Sequence, residues 1–175
     1  MANGFMQTVT RVVDRGLKTN SYKLALLRSL VEIARRSNSA PLRVTRFDLA
    51  EQFVERYWPL TLLFRIRQAT VPDKDPVVMR LIREEQSRLR FRDGTSVHLY
   101  RRSYPADYQQ LIASVAREAF DDVLPRFHTV HRRLVEPILY RLDGDDLIVD
   151  EPACEFLHKN ARCVDLLAIV RRQMI

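Results

Sequence analysis

Asn20-Ser21-Tyr22-Lys23-Leu24-Ala25-Leu26-Leu27-Arg28-Ser29-Leu30-Val31-Glu32-Ile33-Ala34-Arg35-Arg36 is the stretch that decides the fold. Leu24, Leu27, Val31 and Ala34 fall on one face of a helix, and Leu26, Leu30 and Ile33 widen it. Arg28, Glu32, Arg35 and Arg36 take the opposite face. The spacing predicts an amphipathic helix over 21–36, with Asn20-Ser21 as its cap. Ser37-Asn38-Ser39-Ala40-Pro41 reads as a turn, and Leu42 to Val44 as a short strand. A second strong helix starts near Arg46 and covers 47–58. It buries Ala50, Phe53, Val54, Tyr57 and Trp58. Pro59 is expected to end or kink it, because a residue before proline avoids the helical region.

Working outward, residues 5–17 fit a short helix ending near Gly16. Asp75-Pro76 reads as cap and first residue of a helix to about Arg90, with Val78, Leu81, Ile82 and Leu89 inward. Asp93-Gly94 is a turn. Pro105 opens a helix to about residue 121, striped by Tyr108, Leu111, Ile112, Val115 and Ala119. Leu139 to Leu142 and Leu147 to Val149 flank Asp143-Gly144, a hairpin signal. Asp150 caps a short helix to about Asn160. A last helix follows over 161–174, with Val164, Leu167 and Ala168 inward. The expectation is a mainly α fold with winged-helix-like elements, one or two short β-hairpins and no large sheet. Residues 92–104 are the weakest boundary. They suggest a basic helical half, 1–95, and a neutral helical half, 96–175, which carries the hairpin and packs as one unit with the first.

Charge follows the same division. Of 29 basic residues 25 are Arg, with only Lys18, Lys23, Lys74 and Lys159 as Lys. Residues 1–50 hold nine basic and three acidic residues, a net of +6. Residues 101–175 hold eleven and twelve, a net of −1. A local positive field attracts a polyanion, of which DNA and RNA are the commonest. An arginine bias also arises from a GC-rich genome, and composition alone does not separate the two.

No apolar run approaches the roughly 20 residues of a membrane span. The start, Met1-Ala2-Asn3-Gly4, lacks the pattern of a signal peptide. Two cysteines make no disulfide framework, so a cytoplasmic setting is expected. No internal repeat is found.

No catalytic set is expected. A common nuclease core places an acidic residue two positions before a lysine, so that both reach one metal. Here those positions hold Gly16, Ser21, Pro72 and Leu157. There is no Gly-rich phosphate loop and no nucleophile elbow. Cys154, His158 and Cys163, with His128 and His131, are the nearest approach to a zinc set. The paired spacing of a zinc module is missing, and core cysteines are the plainer reading. No metal and no other cofactor is expected, and no small-molecule substrate.

The candidate nucleic-acid contacts are Asn20, Ser21, Tyr22 and Lys23 at a helix start, where free N–H groups and the dipole favour phosphate. An ordinary cap with a packed Tyr is the alternative. Arg65 and Arg67 alternate on one side of an extended segment, with Gln68 beside them. Arg and Gln suit guanine and adenine edges. A solvated loop is the alternative. Arg101, Arg102, Arg132 and Arg133 read as solvated pairs, and Trp58 and Tyr57 as core.

Helix, turn, short strand, helix and later a tight hairpin is the order of a winged-helix-like DNA-binding unit. The tip Asp143-Gly144-Asp145-Asp146 is acidic, so phosphate would repel it and it is expected to face away from DNA. Asn20-Ser21-Tyr22-Lys23-Leu24-Ala25-Leu26-Leu27, Arg56-Tyr57-Trp58-Pro59 and Arg67-Gln68 resemble the N-terminal region of bacterial HNH-endonuclease proteins of the restriction or phage-defence type. Leu142 to Val149, Glu155-Phe156-Leu157 and Asn160 are similar to the segment that precedes the nuclease module there. The resemblance implies a DNA-recognition domain whose nuclease module would follow residue 175. His98, His128, His131 and His158 do not supply that module here.

Two function classes stand. One is recognition of double-stranded DNA, modified or not, on behalf of an HNH-type nuclease. The other is a protein-interaction, dimerisation or regulatory module, which includes a homodimer. For either, pure protein incubated with plasmid and Mg²⁺ or Mn²⁺ should leave it supercoiled. Cleavage that disappears on His128→Ala or His131→Ala would overturn this expectation.

Overall fold

The computed structural model describes Gln7 and residues 21–37, 39–62, 76–90, 95–130, 133–134 and 139–162. Among these the elements run α1 (Ser21–Arg36), β1 (Leu42–Val44), α2 (Arg46–Leu62), α3 (Val77–Arg88), α4 (Val97–Ser103), α5 (Pro105–Glu118), α6 (Val123–Arg126), β2 (Thr129–Val130), β3 (Arg133–Leu134), β4 (Arg141–Asp143), β5 (Asp146–Val149) and α7 (Glu151–Lys159). The fold is mainly helical. It has one three-stranded sheet of order β1-β5-β4 and one two-stranded ladder, β2-β3. The predicted helices over 5–17 and beyond Arg162 lie outside the described residues.

The chain divides into two compact units, 1–45 with 122–175, and 46–121. The second is thus inserted between β1 and α6. Its first and last residues are joined, because Arg46 Nη1 donates to Asp121 Oδ1 at 2.7 Å. Phe120, one residue earlier, meets Phe53 edge to face at 5.1 Å.

In the inserted unit α2 packs on α3, α4 and α5, and α5 also packs on α3 and α4. The predicted stripes are buried: Ala50, Phe53, Val54, Tyr57 and Trp58 on α2, and Tyr108, Leu111, Ile112 and Val115 on α5. Tyr100 of α4 stacks on Trp58 at 4.7 Å and meets Tyr108 edge-on at 5.8 Å. Each polar tip of the stacked pair finds a partner. Trp58 Nε1–H donates to the Thr95 carbonyl at 2.8 Å, and the Tyr100 hydroxyl donates to Glu85 Oε1 at 2.6 Å. Buried Tyr and Trp behave this way because an unmet donor in the core is costly.

Three local expectations are corrected. Pro59 does not end α2, which runs on to Leu62. A proline so near the helix end removes one backbone bond. Side-chain donors also reach carbonyls of that last turn. Thr61 Oγ1–H reaches Tyr57 O at 3.2 Å and Trp58 O at 2.9 Å, and Gln86 Nε2–H reaches Trp58 O at 3.3 Å. Pro76 is the cap of α3, with φ −51 and ψ 137, and not its first helical residue. The weak boundary at 92–104 contains α4. Ser96 caps it by accepting the Leu99 N–H at 3.2 Å.

In the other unit the strand after α1 pairs with the hairpin. Leu42 faces Val149 and Val44 faces Leu147, all four buried. On the other face Ile148 sits between Arg43 and Arg141 of the flanking strands, whose stems can cover it. Asp143 lies directly opposite Asp146, a like-charge pair that opposes strand pairing. Arg43 offsets it, with Nε 2.7 Å from Asp146 and Nη2 3.2 Å from Asp143. Gly144 takes φ +62, a left-handed turn geometry that suits glycine. α7 packs on α1. Cys154 is buried and points its thiol at the Val149 carbonyl, 3.4 Å away.

Phe127, His128 and Tyr140 form a ring cluster in this unit, with His128 4.7 Å from Tyr140 and 5.1 Å from Phe127. The Tyr140 hydroxyl donates to Leu124 O at 2.8 Å. His128 is buried, and its Nε2 has no hydrogen-bond partner among the described residues. Burial, and then the charge of Lys23, push the imidazole down to about 4 from 6.5. The unfolded chain therefore takes up this proton first as pH falls. The neutral ring's contribution is complete above 6.5 and declines as pH drops toward 4. By pH 5 the decline is about 2 kcal/mol. His128→Phe should flatten the fall in melting temperature between pH 7 and pH 5. Equal falls in parent and variant would contradict this account.

Candidate nucleic-acid interface

The start of α1 combines two physical features that favour an anion. Its first backbone N–H groups lack intrahelical acceptors, and its dipole is positive there. Its first turn contains no acidic residue to neutralise that end. Ser21 is the first helical residue, and Tyr22 and Lys23 follow, both partly buried. The Lys23 ammonium lies 6.0 Å from the centre of the Phe127 ring. Burial holds its pKa below the usual lysine value. A ring more than 100 residues away in sequence thus fixes the lysine beside its own helix start. Asn20, Arg65, Arg67 and Gln68 lie outside the described residues.

Most exposed arginines are already engaged with carboxylates. Arg88 grips Glu85 with two N–H groups at 2.8 and 2.9 Å and also reaches Asp107. Arg80 bridges Glu84 at 3.0 Å and Glu118 at 3.1 Å. Arg101 lies 5.3 Å from the Tyr108 ring centre and 3.6 Å from Glu51. Arg117 pairs with Glu118, and Arg126 with Asp122, each at 3.0 Å. An exposed pair of this kind is worth roughly 0–1 kcal/mol. Phosphate must still displace the carboxylate, so the usable positive charge is smaller than the arginine count. A groove of about 380 Å³ between α3 and α5 is lined by Glu84, Glu85 and Asp107 against Arg88 alone, an unfavourable place for an anion.

A second basic cluster was not singled out by sequence. His158 Nε2–H donates to the Ala34 carbonyl at 2.7 Å, which joins the C-terminal turns of α7 and α1. The last turn of α1 holds Arg35 and Arg36, and that of α7 holds His158 and Lys159. Exposed Arg162 follows shortly after. Glu32 pairs with Arg35 at 3.5 Å, and Glu155 pairs with Lys159. The sequence signal for this cluster is the run of cations at two helix ends, but the bond that joins them spans 124 residues. Arg102, read as solvated, is exposed. Among the described residues no group of three or more His, Cys, Asp and Glu is placed to hold a metal ion. No helix among them is long and apolar enough to cross a membrane.

No curated protein and no solved structure matches the chain. The family described as a domain of unknown function (DUF8808) matches residues 2–131. The matched span includes α1, β1 and the whole inserted helical unit, and it stops before the β4–β5 hairpin and α7. Because that span is most of its length, the chain belongs to the DUF8808 family.

Proposed function

We propose that this chain is a DNA-recognition domain of an HNH-type restriction or phage-defence nuclease, with no catalytic module of its own, working in the bacterial cytoplasm. The observation that carries the reading is the net charge of +6 in the first fifty residues, of which Arg43 and Arg46 are held by carboxylates further along the chain. The α1 start adds support, because its positive end has no acid in its first turn and holds Lys23 against Phe127. The order helix, strand, helix and returning hairpin supports a winged-helix-like use of that charge. On this reading Asn20 to Lys23 engage phosphate, and Arg65, Arg67 and Gln68 reach phosphate or base edges of duplex DNA, modified or not. The acidic hairpin tip takes no part, since Arg43 already holds Asp143 and Asp146.

A second reading, a protein-interaction or dimerisation module, is favoured by the large apolar side chains of Phe47 and Leu99, each more than half exposed. Salt separates the two, because affinity for DNA falls steeply with salt and affinity across an apolar interface does not. The test is a titration of labelled duplex across a salt series. The Lys23→Gln, Arg65→Ala, Arg67→Ala triple variant should lower the salt slope by up to about 2.7, roughly 0.9 for each phosphate no longer neutralised. Parent protein that binds no duplex at low salt would overturn the proposal. So would a triple variant that binds like the parent throughout.

A further inference from the structure

The joined ends of α1 and α7 hold more positive charge than the helices themselves require. Each helix C-terminus carries about half a negative charge, so the two together carry about one. Arg35, Arg36, Lys159 and Arg162 supply four cations, and Glu32 and Glu155 remove two. The surplus of about two exceeds what the dipoles neutralise. It also sits on the least engaged arginines of the cluster. Arg36 and Arg162 are exposed and make no ion pair among the described residues. Arg80, Arg88 and Arg117, also exposed, are tied to carboxylates, whereas Arg90, Arg102 and Arg141 share with Arg36 and Arg162 the lack of an ion pair among the described residues but lie outside the joined helix ends. His158 fixes the geometry by bonding one helix end to the other at 2.7 Å.

We propose that the joined C-terminal turns of α1 and α7, with Arg36 and Arg162 foremost, form a second docking surface for the phosphate backbone of duplex DNA. The proposal rests on the DNA-recognition reading and adds to it a surface built in part by the segment that composition alone marks as neutral. Phosphate contacts of this kind set register and orientation and carry no base specificity.

The test uses the full chain, a labelled duplex of mixed sequence and a salt series. Arg36→Gln with Arg162→Gln should lower the salt slope by about 1.8, roughly 0.9 per phosphate, and weaken all duplex sequences alike. The charge-matched control, Arg90→Gln with Arg102→Gln, should leave the slope at the parent value. If the first double variant melts early, the two single variants replace it, each expected to lower the slope by about 0.9. A parent-like slope in the Arg36 and Arg162 variants overturns the proposal. So does an equal decrease in the control, which would show a bulk charge effect. If the parent binds, and responds to the Lys23, Arg65 and Arg67 triple variant but not to these, only this second surface is overturned. A parent that binds no duplex overturns both.

Discussion

The pairing of β1 with β5 is the constraint on which the rest depends. It sets Leu42 against Val149 and Val44 against Leu147, residues more than 100 positions apart. Bringing such distant segments together costs about 4 kcal/mol of loop entropy if the intervening chain is flexible. Here the intervening chain is largely the helical unit, whose own ends meet at Arg46 and Asp121. Once that unit has folded, the chain enters and leaves it at neighbouring points and the effective loop is short. The ladder then attaches α1, which leads into β1, and α7, which follows β5. The bond between the basic helix ends, and the approach of Phe127 to Lys23, belong to the unit this ladder closes.

Among the described residues most charges are met within the chain. The arginine excess suggests a strongly positive surface, yet Arg43, Arg46, Arg80, Arg88, Arg101, Arg117 and Arg126 are all engaged by carboxylates. Besides single exposed arginines such as Arg90, Arg102 and Arg141, what remains for a partner is the surplus at particular places. Those places are helix ends, where the dipole either adds to a cation, as at Lys23, or is overbalanced by several, as at Arg35 and Arg36. A nucleic-acid reading therefore gains little from the total charge and much from where the surplus lies.

Helices were legible wherever a stripe ran for three turns or more. Leu24 to Ala34 and Tyr108 to Val115 are examples, and the Asp143-Gly144 tip was equally plain because its left-handed glycine leaves few alternatives. α4 was missed because seven residues with only Val97 and Tyr100 buried show no period. α2 runs three residues past Pro59, and the Gln86 contact with its last turn comes from another helix, which no local rule contains. The pairing of a three-residue strand with a hairpin over 100 residues away is likewise invisible to periodicity. The candidate site divides in the same way. The helix start was legible from Asn20 to Lys23, while the seat of Lys23 on Phe127 and the bond from His158 to Ala34 are products of the tertiary fold.

Through β1 and β5, segments from both ends of the described chain close one cooperative unit. Native-state hydrogen exchange tests it most directly, since cooperative units open with a shared free energy. The ladder amides of β1 and β5 should exchange at the same opening free energy as the central amides of α1 and α7, and should respond together to denaturant. Exchange of the β4–β5 hairpin and α7 at a lower free energy, independent of β1 and α1, would contradict the account.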